Sequence, residues 1–137
     1  MSYRSQVVLG VTKKAFDKFA NQDVRDALKD CDMISQNQNK NCYYFSWDGV
    51  KWYEEYPRVA IIISFIQQVI DSGYEGNEEH KVCLLRMGED EDDTEFTGDT
   101  LALGVRPNTG ISFPQDEIVN ADILLACNSI KYIVEEN

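Results

Sequence analysis

The chain has 137 residues, 43% hydrophobic and 11% aromatic, enough for one domain whose core needs neither disulfides nor a structural metal. Acidic residues outnumber basic ones 24 to 13, for a formal net charge of −11. Binding to free DNA or RNA rests on cationic neutralisation of phosphates, so this balance disfavours it. It fits solubility, or an acidic face that docks on a basic protein surface.

Gln6 to Val11 is a short, β-branched apolar run and reads as a buried strand. Thr12 stands where a helix N-cap belongs, and Ala15, Phe16, Phe19 and Ala20 recur at helical spacing behind it. Asp23 to about Asp30 is a second helical stretch, continuing the first as one bent helix or standing as a separate short one. Ser35 to Asn41 is polar and reads as a loop. Cys42 to Trp47 has strong aromatic and β preference for a strand. Asp48-Gly49 is a hairpin signal, with Val50 to Tyr53 as the returning strand; a short turn leading straight into a helix is the competing reading. Pro57 suits the first position of a helix that runs to Asp71, with an apolar stripe of Ile62, Phe65, Ile66, Val69 and Ile70 and a C′ glycine at Gly73. Lys81 to Met87 reads as a strand, and Gly88 to Glu95 as an acidic loop.

Later strand candidates are Leu101 to Val105, Ile111 to Phe113 and Ile130 to Val134, with a turn at Pro107 to Gly110 and a short helix at Ala121 to Cys127. The order through Met87 is strand, helix, strand, strand, helix, strand. The expected fold is therefore α+β: a ferredoxin-like βαββαβ core, an antiparallel sheet with two helices on one face. All of residues 1–137 read as a single domain, with the core at about 3–95 and a C-terminal β-rich extension at about 96–137. The opening Met1 to Ser5 leads into an apolar run too short for a signal segment or a membrane span. Cys31, Cys42, Cys83 and Cys127 are far apart and are expected as reduced, buried thiols, with no zinc-ligand spacing among them.

Three pieces carry a family resemblance: Tyr3-Arg4-Ser5-Gln6-Val7, then Trp47-Asp48-Gly49-Val50-Lys51-Trp52-Tyr53 with Tyr56-Pro57, then Arg86 to Glu95. In their combination and order, across residues 3 to about 95, the chain resembles a family of small, largely uncharacterised proteins of tailed phages and prophages. The resemblance implies a phage gene product in the bacterial host cytoplasm. It brings no catalytic residues, and it does not extend to the last 40 residues or so.

Three constellations could carry chemistry. Glu89, Asp90, Asp92, Asp93 and Glu95 offer many carboxylates but lack the alternation, glycine and distal glutamate of a calcium loop. They read as a solvated acidic turn or as a surface for docking a protein. Lys13 and Lys14, together with Arg4, Lys51, Arg58, Arg86 and Arg106, could converge on a phosphorylated small molecule, or serve as ordinary surface charge and ion pairs, such as Arg4 or Arg86 with the acidic loop. The aromatic cluster around Trp47 and Trp52 cannot all face one side of a strand, so it splits between core and either a surface or a covering segment. The single histidine, His80, lies in a polar stretch, and hydrolase, P-loop and dinucleotide fingerprints are missing.

The leading expectation is a non-enzymatic phage accessory protein that binds and neutralises a bacterial host protein, such as a defence or nucleic-acid-handling factor, through its acidic loop. The alternative is a sponge for a nucleotide signal, built from Lys13, Lys14, Trp47, Lys51, Trp52 and Arg86; a third is a structural or regulatory phage protein. No cofactor, catalytic residue, metal or membrane is expected. A homodimer is expected, because a four-stranded sheet leaves edges and a face that the C-terminal segment must cover, on itself or on a second copy.

Overall fold

The computed structural model describes residues 3–73, 79–90 and 92–126. Ser5–Thr12 forms β1, and its continuous apolar run is explained by burial on both sides. It lies between two antiparallel neighbours, β3 (Cys42–Val50) and β4 (Val82–Met87). Outside these lie β2 (Met33–Asn37), β5 (Thr94–Gly98) and the two-residue β8 (Glu117–Ile118). The result is one antiparallel six-stranded sheet of order β5-β4-β1-β3-β2-β8.

Helices α1 (Lys13–Phe19) and α2 (Gln22–Ala27) follow β1, separated by Ala20 and by Asn21, whose side chain caps α2 by accepting from the Val24 N–H. They are thus two short helices. Helix α3 (Pro57–Ser72) follows β3, with Pro57 in its first turn. All three bury their apolar stripes on one sheet face: Val7, Leu9, Phe45 and Trp47 meet Phe16, Leu28, Ile62 and Phe65. Alternation sends Val8, Tyr44, Cys83 and Leu85 to the opposite face. There Leu103 of α4 (Thr100–Leu103) and the hairpin of β6 (Arg106–Pro107) and β7 (Ile111–Ser112) cover them. The Tyr44 hydroxyl donates to the Leu103 carbonyl at 2.6 Å. The aromatic strand is therefore divided between core and a covering segment, and that segment comes from the same chain.

Three expectations are corrected. Asp48-Gly49 is no hairpin turn: β3 runs through it to Val50, because β1 offers a partner at Ser5 and the Asp48 N–H finds the Asp32 carboxylate at 2.7 Å. The second strand of the pattern is instead Met33–Asn37, which takes in the start of the polar stretch read as a loop. Its turn into β3 closes on Asn37, which accepts from the Lys40 N–H at 2.8 Å, and on Asn41 at a left-handed φ of 54°. Leu101 to Val105 is not a strand. Asp99 caps α4 by accepting from the Ala102 N–H, and Gly104 ends it at φ 72°.

Residues 121–126 are helical, as expected, while Ile130 to Val134 and Cys127 lie outside the described residues. Among the described residues no helix is long and apolar enough to cross a membrane.

Candidate functional site

Arg86, near the end of β4, stands beside Val7 on one side and Glu95 of β5 on the other. Its side chain lies on the helix-covered side, buried to 8% exposure, and gathers the surrounding oxygens. Nη1 donates to Ser5 Oγ at 3.0 Å and Asp93 Oδ2 at 3.1 Å; Nη2 donates to Asp93 Oδ1 and Glu95 Oε1, both at 2.5 Å. The Asp93 hydrogen bonds raise the guanidinium's proton affinity, and the same bonds hold the Asp93 carboxyl below the usual carboxylate range.

Tyr3 completes the knot. Its hydroxyl donates to Asp93 Oδ2 at 2.7 Å and accepts from the Asp90 N–H at 3.2 Å. Gly88 donates its N–H to the Asp93 carbonyl at 2.7 Å, which closes the loop at its base. The five acidic candidates thus divide. Asp93 and Glu95 serve Arg86; Glu89 makes a long contact of 3.4 Å with the Arg4 N–H; Asp90 and Asp92 are exposed, with no ion pair among the described residues.

Beside this knot, under α3, opens a cleft of about 490 Å³. Ile63 and Ile66 of α3 and Leu84 of β4 supply apolar surface, and Trp52, Tyr53 and Tyr3 supply rings. Arg86 is the one cation among its lining residues, against the carboxylates of Glu54, Glu55, Asp93 and Glu95. Glu54 and Glu55 are exposed and make no ion pair among the described residues.

The cleft therefore draws Asp93 and Glu95 from the acidic candidates and Trp52 and Arg86 from the ligand-binding ones. The other candidates lie elsewhere. Trp47 is 1% exposed, packed edge-on to Trp52 at 5.2 Å between ring centres, with its indole donating to Asp30 Oδ1 at 3.3 Å. Lys13 stands just past the end of β1, six positions beyond Val7, the partner of Arg86. At roughly 3.3 Å per strand residue, it is on the order of 20 Å from Arg86 along the sheet. Lys13 sits over the Tyr43 ring at 5.3 Å, and Lys14 pairs with Glu79 at 2.8 Å. Lys51 lines a second, more open depression of about 480 Å³ with Arg4, Arg58 and Tyr56, where Asp30 pairs with Arg58. Arg106 is exposed on β6, away from both.

Tyr53 belongs to the aromatic constellation around Trp47 and Trp52, whereas Tyr3, Glu54 and Glu55 belong to none of the three constellations. Tyr53-Glu54-Glu55-Tyr56, two acids inside an aromatic pair directly after Trp52, was the available signal. The hydrogen bonds that join Tyr53 to Tyr3, from the Tyr3 N–H at 3.0 Å and to the Tyr3 carbonyl at 3.2 Å, span 50 residues and leave no sequence trace.

His80 packs edge-on against Phe19, with Nδ1 3.3 Å from Ser72 Oγ. That hydroxyl donates its proton to the Val69 carbonyl at 2.7 Å, so it is not presented as a nucleophile. Among the described residues no three His, Cys, Asp or Glu side chains group as a metal cage. No family model, curated protein or solved structure matches this chain.

Proposed function

We propose that the chain is a non-enzymatic phage accessory protein that acts in the host cytoplasm by binding a basic surface of a bacterial host protein and neutralising it. The observation that carries this reading is an acidic face anchored to the sheet through Arg86 and Tyr3. Tyr3 bonds to Asp93 and Arg86 to Asp93 and Glu95, and the adjoining cleft sets four carboxylates against one already paired guanidinium. A predominantly acidic surface favours fast encounter with an oppositely charged partner. The central strand order β4-β1-β3-β2, with its helices on one face, supports a ferredoxin-like core over about residues 3–95 with the remainder as an extension.

The test is retention from bacterial lysate on the immobilised chain. The expected result is a defined host protein held at low salt, released as salt rises, and lost when Glu89, Asp90 and Asp92 are neutralised together. A folded bait that retains no host protein at low salt overturns the reading.

One observation favours the nucleotide-sponge reading as a second: Arg4, Lys51 and Arg58 share their depression with Tyr56, which is 38% exposed. A rise in melting temperature with millimolar nucleotide, abolished by Lys51→Ala, would support it; no rise with any linear or cyclic nucleotide would remove it.

A further inference from the structure

The cleft beside Arg86 has a more specific chemistry than its charge. Its apolar surface comes from Ile63, Ile66 and Leu84, its rings include Trp52 and Tyr53, and Glu54 and Glu55 complete it. The carboxylates are not equivalent. Asp93 and Glu95 are committed to Arg86 at 2.5 Å each, whereas Glu54 and Glu55 make no ion pair among the described residues. Arg86 therefore presents little uncompensated positive charge to an incoming group, while two unspent negative charges stand on the segment beside it.

We infer that this cleft receives one arginine side chain projected by the partner. The inference rests on the function proposed above and names the chemistry of its recognition. An arginine has a methylene stem that covers apolar surface and a planar guanidinium that stacks on an indole or phenol face and pairs bidentately with a carboxylate. The apolar surface, rings and free carboxylates of the cleft are the complements of those parts. A lysine ammonium, compact and strongly hydrated, uses neither the flat faces nor the bidentate geometry.

The probe is a short Gly/Ser peptide with one central arginine, titrated into the full chain and followed by tryptophan fluorescence. The chain has two tryptophans, and the 1% exposure of Trp47 makes Trp52 the reporter. Saturable binding is expected. Citrulline in place of the arginine, which keeps the shape and removes the charge, is expected to weaken it at least about tenfold. Glu54→Gln with Glu55→Gln should do the same without altering the fold, since both side chains are exposed and make no ion pair among the described residues. Thr97→Arg places a tethered guanidinium at the cleft wall and should abolish binding.

Equal affinity for the citrulline peptide, unchanged binding by the double glutamine variant, or no saturable binding by wild type up to roughly 10 mM peptide overturns the inference. The lysate experiment separates the two levels. A host protein retained equally by wild type and by the double glutamine variant removes the arginine receptor and leaves the proposed function standing. Retention by neither removes the proposed function itself.

Discussion

Arg25 donates from Nη1 to the carbonyl oxygen of Leu124 at 2.6 Å, a contact that spans 99 positions and ties α2 to helical residues 121–126. The guanidinium is 1% exposed, gives Nε–H to the Ala20 carbonyl at 2.8 Å and lies 4.6 Å from the Phe16 ring centre. These carbonyl dipoles and the ring face replace part of the water that so buried a cation gives up. Arg25→Ala removes these bonds together with the packing of the stem. The expected loss is about 2–4 kcal/mol in urea unfolding, from charge-assisted hydrogen bonds of about 1.5–3 kcal/mol each. Amide exchange at residues 121–126 should accelerate more than at β1, and equal acceleration at both would refute the clamp.

Acid should loosen the loop before it unfolds neutral parts of the molecule. Asp93 is held below the usual carboxylate range by Arg86 first and Tyr3 second, and Asp99 by the Ala102 N–H first and Lys81 after it. With folded-state values depressed, the unfolded chain takes up protons first as pH falls. The stabilisation is fully present above the unfolded aspartate value of about 3.9 and is lost as pH drops through the lower folded values. Melting temperature should therefore be flat from pH 7 down to about 5 on account of these groups, then fall. In Asp93→Asn the fall should be shallower; a curve parallel to wild type would show that Asp93 contributes nothing.

The described cysteines should resist alkylation in the native state. Burial pushes the Cys83 thiol up to about 12 and Cys31 up to about 11, and it raises Cys42 as well. The thiolate is the reactive form, so at pH 8 all three are protonated almost entirely. Iodoacetamide followed by peptide mass spectrometry should find them unmodified in buffer and modified in urea. Rapid native labelling of Cys83 would contradict its place under α4.

Gly98 should tolerate no side chain. It sits at φ 74°, and a Cβ there would lie 2.2 Å from the Val82 carbonyl oxygen, a backbone atom of the neighbouring strand. Gly98→Ala is expected to cost about 1–3 kcal/mol through backbone strain, with more from the clash. Gly49→Ala is the control: its Cβ meets nothing nearer than Arg4 Cδ at 4.0 Å, so a change within about 0.5 kcal/mol is expected. Equal losses in the two variants would argue against the described β5 backbone.

Much of the architecture was legible in the pattern of side chains. The runs at β1 and β4 and the stripe of α3 are long, apolar and periodic, and such segments have few ways to leave water other than the ones they adopt. The alternation of elements was also legible, although its second and third strands were displaced. Ser35-Gln36-Asn37 has no apolar signature because a strand beside β3 draws its stability from the neighbour's backbone groups. Asp48-Gly49 signals a turn only while no partner strand is present, and β1 supplies one at Ser5. The caps of α4, Asp99 and Gly104, were written in the chain, but four residues are too few to show a period.

The cleft itself was decided by tertiary structure. Acidic and aromatic residues could be counted in the sequence, and Trp52, Arg86, Asp93 and Glu95 could be marked as candidates. Which carboxylates are spent and which remain available depends on distances of a few ångströms between residues far apart in the chain. Arg86 consumes Asp93 and Glu95 because β4 and β5 pair in register, and Tyr3 reaches the same loop because β1 lies beside β4. Among the described residues Glu54 and Glu55 make no ion pair, because the connection from β3 to α3 carries them along the cleft without bringing a described cation to them. Net charge is a sum over residues, which composition fixes. A site is an arrangement of those charges, and the hydrogen-bond register of the sheet sets it.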